Sequence, residues 1–229
     1  MAIRCITFDL DDTLWDCEPV IAAAEARFHA WLEAHCPALA RHYDLDGLVR
    51  HRVDYFQRFP ALHHDLTRLR KQWLAALSEA HGHADDWVEE GFRVFWLARN
   101  EVELYREAAE LLEGLRDRYR VGAITNGNAD VHHIGVGHYF DFVITAAEAG
   151  SAKPSPGIFR QAIEAAGVPA AACLHVGDNP HADVQGARAQ GMRTVWVNAA
   201  GASWPAGDPR PDATVRHVGE LAALLARWA

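Results

Sequence analysis

The sequence predicts an α/β protein, a parallel sheet with helices on both faces, interrupted by an all-helical insertion. Three observations point there. Short β-branched runs alternate with amphipathic helical stretches from about residue 106 to residue 197, the texture of a parallel sheet covered by helices. A further apolar run opens the chain at Ile3–Phe8. Between the two lies a block with helical periodicity throughout and no strand pattern, as expected of a small bundle in which each helix buries one face.

The elements follow in order. Ile3-Arg4-Cys5-Ile6-Thr7-Phe8 reads as a buried strand running into the acidic cluster Asp9-Leu10-Asp11-Asp12-Thr13. Pro19, behind Asp16 and Glu18, suits a helix start. Ile21, Ala24, Phe28, Trp31, Leu32 and His35 then recur at helical spacing until Pro37. Leu45–Phe59 is a weaker helix. Two more apolar stripes run through Leu66, Leu69, Trp73, Leu74 and Leu77, and through Trp87, Val88, Phe92, Phe95 and Trp96. Helices are expected at Arg106–Arg118, at Pro156–Ala166 closed by Gly167, and at Ala182–Gln190 closed by Gly191. Strands are expected at Val121–Ile124, Phe142–Ile144, Cys173–Val176 and Thr194–Val197. Gly201–Pro211 reads as a surface loop. The expected division is a core of residues 1–15 and 101–229 and a helical domain of residues 16–100.

Composition narrows the function. At 229 residues the chain can bury a core without disulfide staples. Lys plus Arg is 22 against 31 Asp plus Glu, a formal charge of −9, so nucleic acid is not an expected partner. Cys5, Cys17, Cys36 and Cys173 form no C-x-x-C pair and are expected as reduced thiols. No apolar run is long enough for a membrane span. Asp9, Asp11 and Asp12 fall where a signal peptide would be apolar, so a cytoplasmic protein is expected.

In open parallel sheets ligands bind at the carboxyl ends of strands, and here those ends carry the chemistry. One strand leads into Asp9, Asp11 and Thr13; another into Thr125, Asn126 and Gly127; another into Gly177, Asp178 and, a turn later, Asp183. Lys153-Pro154 follows the Phe142–Ile144 strand after a short loop. Crowded carboxylates cannot all stay ionised unpaired. A hard divalent cation with oxygen ligands, Mg²⁺, would settle them and would bring phosphate oxygens with it. Thr125 and neighbouring amides could hold the other phosphoryl oxygens. Lys153 could add positive charge and pair with Asp183. One carboxylate could then attack phosphorus, and a second, two residues away, could serve the leaving group and the water as acid and base.

Asp9-Leu10-Asp11-Asp12-Thr13, Thr125-Asn126-Gly127, Lys153-Pro154 and Gly177-Asp178 with Asp183 resemble, in order, the four motifs of the haloacid dehalogenase superfamily. The helical insertion resembles that family's type-1 cap. The resemblance implies a Rossmann-like core and an Mg²⁺-dependent enzyme. It casts Asp9 as nucleophile and Asp11 as general acid and base, with the Asp11 carbonyl and Asp178 on the metal. Thr125, Asn126, Gly127 and Lys153 would bind phosphate, with Asp183 and Thr13 in support. The family's dehalogenases lack the second Asp of D-x-D, so Asp11 favours phosphomonoester hydrolysis.

FDLDDTL at Phe8–Leu14, His64–Arg68, AITNGNA at Ala123–Ala129 and LHVGD at Leu174–Asp178 look like bacterial phosphatases of flavin mononucleotide and 5-amino-6-(5-phospho-D-ribitylamino)uracil. His64 and Arg68 are then candidate substrate contacts. A nucleotide, phosphoglycolate or sugar phosphate is the alternative substrate, and a non-catalytic phosphate-binding protein the alternative class. A monomer or homodimer acting on a small phosphorylated metabolite is expected. Among the 14 histidines, His63-His64, His81-Gly82-His83 and His132-His133 suggest zinc. Adjacent histidines diverge, however, and nothing completes a tetrahedral set, so exposed or hydrogen-bonded rings are expected. Trp15 is expected to pack the helical domain against the core or to stack on an aromatic base.

Overall fold

The computed structural model describes residues 2–82, 87–205, 207 and 209–228. Six strands, β1 (Cys5–Phe8), β2 (Arg120–Thr125), β3 (Phe142–Thr145), β4 (Cys173–Gly177), β5 (Arg193–Val197) and β6 (Ala213–Val215), form one sheet. Their order is β3-β2-β1-β4-β5-β6 and every neighbouring pair is parallel. β1 sits between β2 and β4 with all four residues buried, which is why it reads as an unbroken apolar run. Phe8 is in register with Ala123 of β2 and Val176 of β4. The residues after those three positions therefore emerge side by side at one edge.

The helices are α1 (Cys17–His35), α2 (Pro37–Ala40), α3 (Leu45–Gln57), α4 (Leu66–Ala80), α5 (Val88–Arg99), α6 (Arg106–Leu115), α7 (Val131–Ile134), α8 (Ala146–Ala149), α9 (Pro156–Ala166), α10 (Gly186–Ala189) and α11 (Leu221–Trp228). The chain divides into two compact units. One comprises Met1–Asp16, Glu103–Gly127 and Val131–Ala229; the other comprises Cys17–Val102 and Asn128–Asp130.

In the sheet unit α9 packs on β2 and β3, and α6 packs on β2. Pro156 occupies the first turn of α9, and Gly167 ends it in a left-handed conformation at φ +64°. Ile158, Phe159, Ala162 and Ala166 of α9 lie in a core with Ile124, Ala187 and Met192.

The helical unit has its own core, built on Phe28, Leu32, Leu69, Trp73, Leu74 and Phe95. Ala24, Phe28 and Leu32 mark one face of α1 at a spacing of four. Asp44 and Asp65 cap α3 and α4, accepting from the Gly47 and Arg68 amides at 2.7 and 2.9 Å. A buried ion cluster joins three helices. Glu25 is gripped by both Nη atoms of Arg70, at 2.6 and 3.3 Å, and lies 3.0 Å from Arg52 Nε. The Arg70 guanidinium also lies over the Phe95 ring, 3.3 Å from its centroid.

Several features differ from the sequence expectation. The helix expected from Ala182 starts earlier, as a wide π-helical turn at Pro180–Gln185, and only Gly186–Ala189 is α-helical. Asn179 explains the early start, because its side-chain oxygen accepts from the His181 and Ala182 amides at 3.0 and 2.9 Å. β6, α11 and the four-residue helices α2, α7 and α8 are additions to the expected elements. β6 is only three residues long, too short for a period to register. Of the expected loop Gly201–Pro211, residues 206 and 208 lie outside the described residues, as does His83.

Phe159 is fully buried, with its ring edge-to-face on His175 at 5.5 Å. Phe159→Ala is expected to destabilise the protein by about 3–5 kcal/mol. Urea denaturation checks this through a lowered midpoint at unchanged slope.

Candidate active site

The carboxyl ends of β2, β1 and β4 deliver the polar groups. Asp9 follows β1 and stays level with β4, its amide donating to the Val176 carbonyl at 2.8 Å. Thr125 is the last residue of β2. Asp178 follows β4, and Asp183 sits in the wide turn after it. Lys153 lies in the loop between α8 and α9.

Lys153 is the centre of the arrangement. Its buried ammonium donates to Asp9 Oδ1, to Asp183 Oδ1 and to the Ile124 carbonyl, each at 2.7 Å. An ammonium has three N–H donors, and all three are used. Burial works against its charge, but Asp183 and Asp9 outweigh this and hold the lysine above its ordinary range. The pairing of Lys153 with Asp183 expected from the sequence is present. Asn126 fixes the lysine's backbone: its side chain accepts from the Lys153 amide at 2.7 Å and donates to the Lys153 carbonyl at 3.0 Å.

The acidic residues differ sharply. Burial pushes Asp9 up to about 8, with Lys153 opposing and Asp183 and Asp178 adding to the rise. Burial likewise raises Asp178 to about 6, reinforced by Asp183 and Asp12. Burial also opposes ionisation of Asp183, yet Lys153 and His175 hold it well below the usual carboxylate range. Asp183 Oδ1 faces both Lys153 Nζ and His175 Nε2, the latter at 3.2 Å, and Oδ2 accepts from the Asn179 amide at 2.9 Å. Close approach to β4 requires glycine at 177, since a Cβ there would fall 2.3 Å from Asp183 Cγ.

One carboxylate oxygen from each of Asp9, Asp178 and Asp183 lies within 4.8 Å of the other two. An all-oxygen donor set of this size fits a hard divalent cation. Because Asp183 has both oxygens engaged, Asp9 and Asp178 are the carboxylates positioned to touch one. Thr13, fully buried, donates to Asp178 Oδ1 at 3.4 Å. Thr125 Oγ1 accepts from the Gly127 amide at 2.9 Å, which orients the hydroxyl. Asp11 Oδ1 accepts from the Trp15 indole N–H at 2.8 Å.

His64 and Arg68 belong to the helical unit. There His64 is half-buried and Arg68 is exposed at the start of α4. His63 bonds to the Phe56 carbonyl at 2.9 Å and His81 to the Tyr43 hydroxyl at 3.3 Å. His132 and His133 are exposed. Among the described residues, the cluster with metal-ligand geometry is the aspartate one.

Sequence reasoning missed His175. Burial holds this ring below its ordinary pKa, with Asp183 opposing. Asp183 can only accept, so Nε2 donates to it, while Nδ1 lies 2.9 Å from the Thr7 hydroxyl, which also donates to the Leu174 carbonyl at 3.3 Å. The available signal is a histidine inside an otherwise apolar buried strand, Cys173-Leu174-His175-Val176.

The family model for haloacid dehalogenase-like hydrolases matches residues 3–191. The chain is similar to 5-amino-6-(5-phospho-D-ribitylamino)uracil phosphatase YigB of Escherichia coli (strain K12), at 33% identity over 85% of this chain and 83% of that one. A crystal structure of 2-haloacid dehalogenase from Pseudomonas syringae pv. Tomato DC3000 superposes at TM-score 0.91, with 38% identity over 99% of this chain and 100% of that one. A HAD phosphatase from Thermococcus onnurineus superposes at 0.69, with 25% identity over 97% and 98%.

The raised carboxyls set a pH dependence. Asp9 and Asp178 sit above the roughly 3.9 of an unfolded Asp. In the cation-free protein each favours its protonated form, so stability falls as pH rises from about 4 to about 8. The depressed Asp183 acts oppositely, its contribution being present above about 4 and lost only in stronger acid. Thermal unfolding with chelator is expected to give a lower Tm at pH 8 than at pH 5. Saturating Mg²⁺ is expected to raise the pH 8 value by about 5–10 °C. A Tm indifferent to both pH and cation would remove the aspartate cluster as a cation site.

Proposed function

This chain belongs to the haloacid dehalogenase-like hydrolases, and we propose that it hydrolyses small phosphomonoesters through an aspartyl-phosphate on Asp9. The observation that carries this reading is the three-way contact of the Lys153 ammonium with Asp9, Asp183 and the Ile124 carbonyl. It places a fixed positive charge beside the nucleophile, where a phosphoryl group must arrive. The second aspartate of D-x-D, Asp11, favours phosphate over halide chemistry, as the family resemblance implies.

In this mechanism Asp9 Oδ1 stays on Lys153 and the Leu10 amide, the latter at 2.8 Å. Asp9 Oδ2 attacks phosphorus, the bond from phosphorus to the ester oxygen breaks, and Asp11 gives its proton to the departing alkoxide. Asp11, now a carboxylate, takes a proton from water as the water oxygen attacks phosphorus. The Asp9–phosphorus bond breaks, releasing inorganic phosphate and restoring both aspartates. Lys153 and the Thr125 hydroxyl offset charge on the phosphoryl oxygens. Asp9, Asp178 and the Asp11 carbonyl would hold Mg²⁺, which supplies a Lewis acid for those oxygens. Asp183 and Thr13 hold Lys153 and Asp178 in place.

For the substrate we adopt 5-amino-6-(5-phospho-D-ribitylamino)uracil, on the likeness to YigB, or flavin mononucleotide, which the motif resemblance implies. We assign selection among substrates to the helical block of residues 16–100 acting as a cap, with His64 and Arg68 as its candidate contacts. Arg70 is excluded from that role because Glu25 and Phe95 bury it. The likeness to a 2-haloacid dehalogenase favours a second reading, halide displacement by Asp9.

Asp9→Asn is expected to lower turnover at least about 10⁴-fold while leaving the folded content by circular dichroism unchanged. An Asp9→Asn variant as active as the parent, free of deamidation, would sink the mechanism. Release of phosphate from flavin mononucleotide, the uracil ester, a nucleotide and a sugar phosphate, run beside halide release from a 2-haloacid, separates the readings. Phosphate release led by the first two esters is expected. Halide release without phosphate release would replace the phosphatase reading with the dehalogenase one.

A further inference from the structure

Trp15 is fully buried, and its indole N–H points back at Asp11 Oδ1 at 2.8 Å. The loop between them is tightly folded. The Leu14 amide donates to the Leu10 carbonyl at 2.8 Å, and Asp12 stands at φ +58°, a conformation uncommon for a residue with a side chain. The Asp12 amide then donates to the Trp15 carbonyl at 2.8 Å, and Asp11 and Trp15 form a one-residue parallel bridge. Backbone and side chain of Trp15 thus hold residues 11 and 12 together. The segment is anchored at its far end by Tyr105, whose amide donates to the Leu14 carbonyl at 2.9 Å and whose hydroxyl donates to Asp16.

An indole nitrogen donates and never accepts. Its partner oxygen on Asp11 is therefore held as an acceptor. We propose that Trp15 is the positioning residue for the general acid: it fixes the Asp11 carboxyl through Oδ1 and so turns the other oxygen toward the leaving group. This inference rests on the phosphatase reading above. Packing alone does not require the N–H, because any large aromatic side chain would fill the same space.

The test exploits leaving groups. Proton donation matters for an alkoxide, a poor leaving group, and little for p-nitrophenolate. The selectivity measured is kcat/KM for an alkyl phosphate divided by kcat/KM for p-nitrophenyl phosphate. Trp15→Phe is expected to lower this ratio about tenfold or more, within the span that general acid catalysis covers. Replacing Trp15 by 3-benzothienylalanine, which keeps the ring size and lacks the N–H, is expected to do the same with Tm unchanged, so the result stands even if the Phe variant folds poorly. In an Asp11→Asn background, Trp15→Phe is expected to change the ratio no further.

An equal loss on both esters, or a ratio unaltered by the isostere, overturns the positioning role and leaves Trp15 as packing. A further fall of the ratio in the Asp11→Asn background also overturns it, since Trp15 would then act otherwise than through Asp11. If the parent protein hydrolyses neither ester, the phosphatase reading itself falls and this inference with it.

Discussion

A single buried ammonium organises the sheet unit's polar end. Lys153 is sealed from solvent, and its three donors end on Asp9, Asp183 and the Ile124 carbonyl. A buried charge without partners would be very costly. Three separate stretches of chain must therefore meet at one point: the end of β1, the end of β2 and the turn after β4. The strand order, with β1 between β2 and β4, is what allows them to meet. Displacing any one of them would leave a buried N–H donor of Lys153 unpaired, so the site and the fold share one constraint.

Around that point the polar groups form a frame with few loose members. Asn126 spans the Lys153 backbone, His175 links Asp183 to Thr7, and the Asn179 amide takes the last Asp183 oxygen. The frame treats its two lysine-bound carboxylates unequally. Asp183 is satisfied on both oxygens and held firmly as an anion. Asp9 is pushed up to about 8, in an environment that favours a partner arriving to share its charge. Two carboxyls on one ammonium thus differ in how readily they ionise, through burial, neighbouring charge and hydrogen bonding.

Tryptophans tie down two of the loops that carry the acids. Trp15 holds Asp11 through its carboxylate, and Trp196 at the end of β5 donates to the Asp178 carbonyl at 2.7 Å. Each indole combines a large buried surface with one directional donor, so packing the ring also aims the loop. Core packing is in this way coupled to the placement of groups that lie outside the strands.

How much of this is legible in the sequence depends on the range of the interaction. The first five strands in chain order and the long helices are readable because apolar period and punctuation by Pro and Gly are local signals, as Pro156 and Gly167 of α9 show. β6 is not, because three residues cannot establish a period. The wide turn at Pro180–Gln185 reads as ordinary helix, because its shape follows from where Asn179 and Asp183 point. Asp9, Thr125, Lys153, Asp178 and Asp183 can be named as a group, because each lies at or soon after a strand end that the sequence marks. What the sequence by itself determined is the set of polar groups and the strand ends that bear them. Only the tertiary structure decided which atom meets which: Lys153 with Ile124, Asn126 with the Lys153 backbone, His175 with Asp183, Trp15 with Asp11. Those contacts depend on how neighbouring strands align and how buried donors find acceptors, and neither is written in local periodicity.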